Sequence, residues 1–378
     1  MRRWIVAAMI FIGACSDSSG PSAPQSTRID LGGRLERSST VVDTVRVRGI
    51  VIPDSLIVWT VAPSGAATFP AAGQIRFVDS GTIALVARVD TDSVFRIVHV
   101  SAPPVVYFDL LVSAHHDSVS YHSVYRIALD GLDTAQITLD TADNTQPTLS
   151  SSGAMVFVSR RNGNGELYSA TSDPGASATR LTATSGDEAS PRLSSDGSHV
   201  AYTIPVGGLP KLYVGSGTAT DTIQVTASFE SSGAVDASPT WSPDGSMLAF
   251  VSTTSGPARL YRAHLNSGLF DTLPGAATSG ADVEPAWSPD GAHLAFASSR
   301  TGPTELYLLN LVTGAVSAVT NDGGPNGEPA WTPDGRIVYV TWASGHPRLR
   351  WLDPAVPDST HDIPTTGDAL HPALRPVQ

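Results

Sequence analysis

The chain has 378 residues, 41% of them hydrophobic and only 15% charged, which is ample for a buried core and excludes disorder along its whole length. With 23 basic and 35 acidic residues the net charge is −12, so attraction to nucleic acid or to anionic headgroups is not expected. Glycine (34) and proline (28) are plentiful and no sustained 3.6-residue apolar period follows the first dozen residues, which predicts a nearly all-β chain.

The first elements are processing signals. Arg2 and Arg3 form a basic start, and Trp4 to Ile12 an apolar run far too short to span a bilayer. Ile12-Gly13-Ala14-Cys15 follows, and Cys15 is the sole cysteine, so no disulfide, thiolate metal cluster or cysteine nucleophile is available. The tetrapeptide resembles the lipobox of bacterial lipoproteins. That resemblance implies a signal peptide over 1–14, lipidation of Cys15 and stable anchoring by several acyl chains. Ser16 rather than Asp after the cysteine implies transfer to the outer membrane. The tether from Ser16 to Thr27, SDSSGPSAPQST, has nothing to bury and spans roughly 20 Å as a flexible coil.

Residues 28–102 show short alternating strands at Thr44 to Arg48, Leu56 to Val61, Ile75 to Val78, Ile83 to Val89 and Phe95 to Val100, which predicts a small β-sandwich. The run Leu56 to Val61 centred on Trp59, followed by Gly73-Gln74-Ile75 and Gly81-Thr82-Ile83-Ala84, resembles bacterial immunoglobulin-like domains of the invasin and intimin group. Such domains act as spacers or adhesive modules. Trp59 reads as core.

Pro103-Pro104 marks a boundary, and a repeat begins at once. Its units open at Pro147, Pro191, Pro239, Pro285, Pro329 and Pro372, spaced 44, 48, 46, 44 and 43 residues apart, the length of a four-stranded propeller blade. Each opens as PTLSSSGAMVFVS, PRLSSDGSHVAYT, PTWSPDGSMLAFVS, PAWSPDGAHLAFAS or PAWTPDGRIVYVT, two apolar runs flanking a turn that is Asp-Gly in all but the first. Asp196, Asp244, Asp290 and Asp334 read as turn formers, with Asp and Gly both suited to positive φ. A second hairpin, Gly-x-x-x-Leu-Tyr, ends at Tyr168, Tyr213, Tyr261 and Tyr307, with Arg350 in the last copy. Fourth strands are expected near Thr182, Thr226, Leu273 and Thr320. Val105 to Leu111, Val124 to Leu129 and Ile137-Thr138 supply three strands of a blade without its opening strand, and Pro372 to Val377 supply an opening strand alone. Joined, they make a sixth blade and remove two exposed edges.

These units resemble the WD40-like repeats of TolB-type β-propellers, and the resemblance covers residues 104–378. It implies the fold and no single function. In prolyl oligopeptidases similar repeats precede a hydrolase domain, which is not expected here. No Gly-x-Ser-x-Gly, His-Glu-x-x-His, Gly-Lys-Ser/Thr or Cys-x-x-Cys occurs, and no enzyme activity or cofactor is expected. His115, His116 and His122 read as loop residues. Asn162, Asn164 and Glu166 have the alternate spacing of a calcium loop but coincide with a turn found in every unit. Trp241, Trp287 and Trp331 read as blade packing.

Acids precede the opening prolines: Asp143, Asp187, Asp236, Asp282 with Glu284, Glu328, and Asp368. In TolB-like propellers this connection enters the innermost strand, so the resemblance implies an acidic ring at one channel mouth, able to meet a cation or a basic partner surface. The whole reads as a lipid-anchored, non-enzymatic envelope protein that binds another protein through a six-bladed propeller (103–378). A carbohydrate-binding or lyase-like propeller with channel histidines on a metal, and an adhesin using the immunoglobulin-like domain, are the alternatives.

Overall fold

The computed structural model describes residues 28–32, 40–47, 50–51, 57–64, 66–69, 74–77, 80–89, 92–113, 120–219, 221–229, 233–275, 279–356 and 360–376. Cys15, the tether, His115 and His116 lie outside them. Every regular element among the described residues is a β-strand, and the chain divides into two compact units, one ending at Ala102 and one beginning at Pro103.

The first unit holds β1 (Arg28–Gly32), β2 (Thr40–Val47), β3 (Ile50–Val51), β4 (Val58–Ala62), β5 (Ala67–Thr68), β6 (Gln74–Phe77), β7 (Gly81–Val89) and β8 (Asp92–Val100). One antiparallel sheet runs β1-β2-β6-β5 with β3 paired to β2, and a second runs β4-β7-β8. Alternation builds a core from both: Ile75 and Phe77 of β6 join Ile83, Leu85 and Ala87 of β7 and Val98 and Val100 of β8. Trp59 packs partly buried against this core and stacks on Phe69 at 5.2 Å between ring centroids.

Among its described residues the second unit contains six four-stranded antiparallel sheets. Its first strands are β9 (Val105–Ser113), β10 (Ser120–Ala128) and β11 (Ala135–Gln136). Then come β12 (Asn144–Leu149), β13 (Ala154–Ser159), β14 (Glu166–Thr171) and β15 (Thr179–Arg180), followed by β16 (Ala189–Leu193), β17 (His199–Val206), β18 (Leu209–Ser216) and β19 (Ile223–Gln224). The fourth group is β20 (Asp236–Trp241), β21 (Met247–Ser252), β22 (Arg259–His264) and β23 (Leu269–Thr272), and the fifth is β24 (Asp282–Trp287), β25 (His293–Ser298), β26 (Glu305–Asn310) and β27 (Val316–Ala318). The last are β28 (Asn326–Trp331), β29 (Ile337–Thr341), β30 (Arg348–Leu352), β31 (His361–Asp362) and β32 (Ala369–Leu374). Five sheets take four consecutive strands each. In the sixth, β32 pairs with β9, giving the order β11-β10-β9-β32.

The register repeats from sheet to sheet. Phe157 faces Tyr168, Tyr202 faces Tyr213, Phe250 faces Tyr261 and Phe296 faces Tyr307, with centroids 5.9–6.4 Å apart, and Tyr339 faces Arg350. Fourth strands end before the threonines because those hydroxyls take over from the ladder: Thr138, Thr182 and Thr320 Oγ1 accept the N–H of Val124, Leu167 and Leu306 at 2.8–2.9 Å.

Two features differ from the sequence reading. At the Asp-Gly turns only the glycine takes positive φ, at 70–87° for Gly197, Gly245, Gly291 and Gly335. The turn is wider than a two-residue hairpin. Ser288 Oγ donates to Asp290 (2.5 Å) and accepts His293 N–H (2.9 Å), while Asp290 Oδ1 accepts Ala292 N–H (2.9 Å), and the other copies repeat the Ser/Thr-to-Asp bond. Secondly, each innermost strand carries a register shift at its proline, and the residue before that proline has φ of 49–54°: Gln146, Ser190, Ser238, Glu284, Glu328 and His371. Proline has no N–H to give the ladder, so it sits where a bulge leaves a position unpaired.

Gly291 tests the turn cleanly, since a Cβ there meets nothing nearer than Pro243 at 3.8 Å and only the φ of +71° resists it. Gly291→Ala is expected to cost about 1–2 kcal/mol of stability in urea unfolding, with the fold retained.

Candidate functional site

The residues after the six prolines enclose a cavity of about 310 Å³. Two positions on, three strands contribute Trp241, Trp287 and Trp331, and the other three Leu149, Leu193 and Leu374. One position on, the side chains are Thr148, Arg192, Thr240, Ala286, Ala330 and Ala373. Pro243, Pro289, Pro333 and Pro376 add a further apolar level on the turn side. The indoles therefore do more than pack blades. Trp241 Nε1 donates to Arg192 O (2.8 Å) and Trp331 Nε1 to Ala286 O (3.0 Å), so each is fixed to the neighbouring inner strand while its ring walls the cavity.

The residues before the prolines form the next level down. Ser190 N–H donates to Gln146 Oε1 (2.7 Å), Glu328 N–H to Glu284 Oε2 (2.7 Å), and His371 N–H to Glu328 Oε2 (2.5 Å). Asp109 of β9, fully buried, accepts Gln146 N–H (3.0 Å) and His371 Nδ1 (2.7 Å) on the same oxygen. Sequence reading missed Arg192, His371, Asp109 and Gln146. For Arg192, His371 and Gln146 the signal available was position: the residues one before the opening prolines share one level and those one after share another, whereas Asp109 on β9 adjoins no opening proline and carried no such signal.

The seven predicted acids fall on three levels rather than one ring. Asp143, Asp187 and Asp368 are surface groups: Asp143 accepts His122 N–H (2.7 Å), Asp187 accepts Gly165 N–H (2.6 Å) and pairs with Arg160 (2.7 Å), and Asp368 pairs with Arg348 (3.3 Å). The Gly165 N–H first, then the charge of Arg160, hold Asp187 below the usual carboxylate range. Asp236 and Asp282 are buried and structural, Asp236 accepting from Thr226 (2.7 Å) and Asp282 from Ser298 (2.6 Å) and Arg300 (2.8 Å). Only Glu284 and Glu328 come together; His371 lies 3.9 Å from Glu328, and Arg192 feels both carboxylates only through space. Of the three residues with alternate spacing, Asn164 donates to Glu166 and to Gly186 O, and Arg180 pairs with Glu166 at 2.6 Å. Among the described residues no three His, Cys, Asp or Glu side chains are placed to hold a metal ion.

A family model described as the TolB beta propeller domain matches residues 274–354. Among solved structures, TolB from Acinetobacter baumannii superposes with a TM-score of 0.65 at 16% identity, over 79% of this chain and 80% of its own. A putative TolB from Agrobacterium tumefaciens gives 0.56 at 17% identity, over 71% and 90%. Hydrazine synthase from Kuenenia stuttgartiensis gives 0.59 at 12%, over 73% and 48%. A comparison with curated proteins finds no match. The second unit has a TolB-like propeller fold.

In this TolB-like propeller the charges beneath the cavity compensate one another. Burial pulls the His371 imidazole down, but the Asp109 carboxylate, by charge and hydrogen bond, and Glu328 override it and raise it to about 9. Burial also raises Glu284, with the Glu328 charge adding to it, against the Glu328 N–H, His371 and Arg192. Arg192 is lowered by burial, opposed by Glu328 and Glu284.

A histidine raised from 6.5 to about 9 stabilises the folded chain fully below pH 6.5, and that contribution is lost as pH rises through about 9. Thermal melts of the wild type and His371→Gln between pH 6 and 10 are expected to differ most at pH 6 and to converge by pH 10.

Proposed function

We propose that the chain is a lipid-anchored protein of the bacterial envelope that binds another protein through its propeller, without enzymatic activity. In this reading Cys15 carries the anchor, residues 28–102 form an immunoglobulin-like spacer, and the six sheets close as a six-bladed ring through the pairing of β32 with β9. The observation that carries it is the cavity walled by Trp241, Trp287 and Trp331 and by prolines. Rigid aromatic and proline side chains present apolar area at little entropic cost, as recognition surfaces for extended chains do. The charges beneath are tied to one another, which suits a supporting frame. The acids Asp236 and Asp282 belong to the sheet packing, so the recognition face is assigned to the turn side.

Ala330 lines the cavity and is half-buried, so a larger side chain there fills the space without removing a packing contact. Affinity capture from detergent-solubilised envelope with the full chain is expected to recover a protein partner. Ala330→Phe should reduce that recovery by more than about ten-fold, a loss of about 1.4 kcal/mol. Undiminished recovery would move the site elsewhere. Cys15→Ala should shift the protein from the membrane to the soluble fraction, and unchanged fractionation would remove the anchor from the reading.

A further inference from the structure

Arg192 stands apart from everything around it. Among the described residues that line the cavity it alone is charged, in a chain whose net charge is −12. Among the described residues its five N–H donors have one hydrogen bond between them, from Nη1 to the adjacent Pro191 O at 2.9 Å, and no described carboxylate lies within ion-pair distance. Glu284 and Glu328 act on it only through space, from the level beneath the cavity. The other strands give it room: at the same position stand Ala286, Ala330 and Ala373, with Thr148 and Thr240. A half-buried guanidinium so placed is a desolvated cation with unused, fork-shaped donors, the group best matched to a carboxylate.

Position along the strands says which carboxylate. From the turn side a ligand meets Pro243, Pro289, Pro333 and Pro376, four residues after their opening prolines, then the indoles two after, then Arg192 one after. At about 3.3 Å per residue that is a descent of about 10 Å, in a volume near the lower limit of ligand pockets. A chain end fits such a space with its carboxylate leading. An acidic side chain from mid-chain would need the backbone to enter and turn back inside the same 310 Å³.

We propose that the cavity binds the carboxyl end of an extended peptide, its terminal carboxylate on the Arg192 guanidinium and its last apolar residues between Trp241, Trp287 and Trp331. This deepens the protein-binding reading and rests on it. Capture of chain ends by oriented donors and packing of extended proline-containing segments on aromatic walls are both established modes of peptide recognition.

The test uses the full chain and three probes: acetyl-Pro-Leu-Pro with a free carboxylate, the same peptide as its carboxamide, and acetyl-Pro-Leu-Glu carboxamide, which carries the acid on a side chain. Indole fluorescence, with calorimetry as a check, reads affinity. The free acid is expected to bind at least about ten-fold tighter than either amide, the scale of a charged hydrogen-bonded pair. Arg192→Gln should erase that preference and Arg192→Lys retain part of it, with melting curves showing that both variants are folded. Equal binding of acid and amide overturns the proposal, as does a preference that survives in folded Arg192→Gln. Binding of the glutamate probe as tight as the free acid overturns the terminal assignment. If no probe binds while capture of a partner stays sensitive to Ala330→Phe, this inference fails and the protein-binding reading stands. If capture is insensitive as well, both fail.

Discussion

The arrangement depends on one carboxylate. Asp109 is fully buried on β9, and a single oxygen of it accepts both the Gln146 N–H of β12 and the His371 ring of β32, a partner 262 residues away. Strands from the beginning, the next sheet and the end of the propeller thus converge on one charge. Left alone it would be a costly buried anion, and the imidazolium beside it supplies the compensation. Glu328 reaches the same strand from the other side, and Glu284 reaches Glu328, so a run of bonds passes from β24 through β28 and β32 to β9, β12 and β16, each from a side chain to a neighbouring backbone N–H except the His371–Asp109 bond between two side chains.

That run exists because each inner strand is irregular at the same place. A bulge with positive φ turns the residue before the proline out of the plain alternation of a strand, and at Gln146, Glu284 and Glu328 it brings the side chain to the next strand's N–H. The residue after the proline is left to line the cavity. One irregularity thereby separates two levels, a polar one that holds strands together and an apolar one that leaves Arg192 exposed to a ligand.

The repeat was legible in the sequence because its signals are local: proline spacing, Asp-Gly, and Tyr in the second hairpin each report on a few neighbouring residues. The pairing of β32 with β9 was legible too, from a unit lacking one strand and a strand lacking a unit. In the first unit the alternating runs found β2, β4, β6, β7 and β8, whereas β1, β3 and β5 are too short or too polar to show a period. What failed was the grouping of the acids. Asp143, Asp187 and Asp368 lie four residues before a proline, Asp236 and Asp282 three, Glu284 and Glu328 one, and those offsets lead to surface, packing and cavity floor. The bulge that sorts them breaks the two-residue period on which facing is judged, and only the proline inside a strand hinted at it. Arg192 escaped for a related reason, since its significance lies in the alanines opposite, which belong to other units.

Because β32 completes the sheet that β9, β10 and β11 begin, a chain made from its N-terminus holds that sheet one strand short while the five others form. Until then β9 presents an unpaired edge, the kind of surface that invites the wrong neighbour. The cavity is unfinished for the same interval, since Ala373 and Leu374 of β32 line it. Completion of the sheet and completion of the cavity are thus reached together, and a chain interrupted near its end has neither.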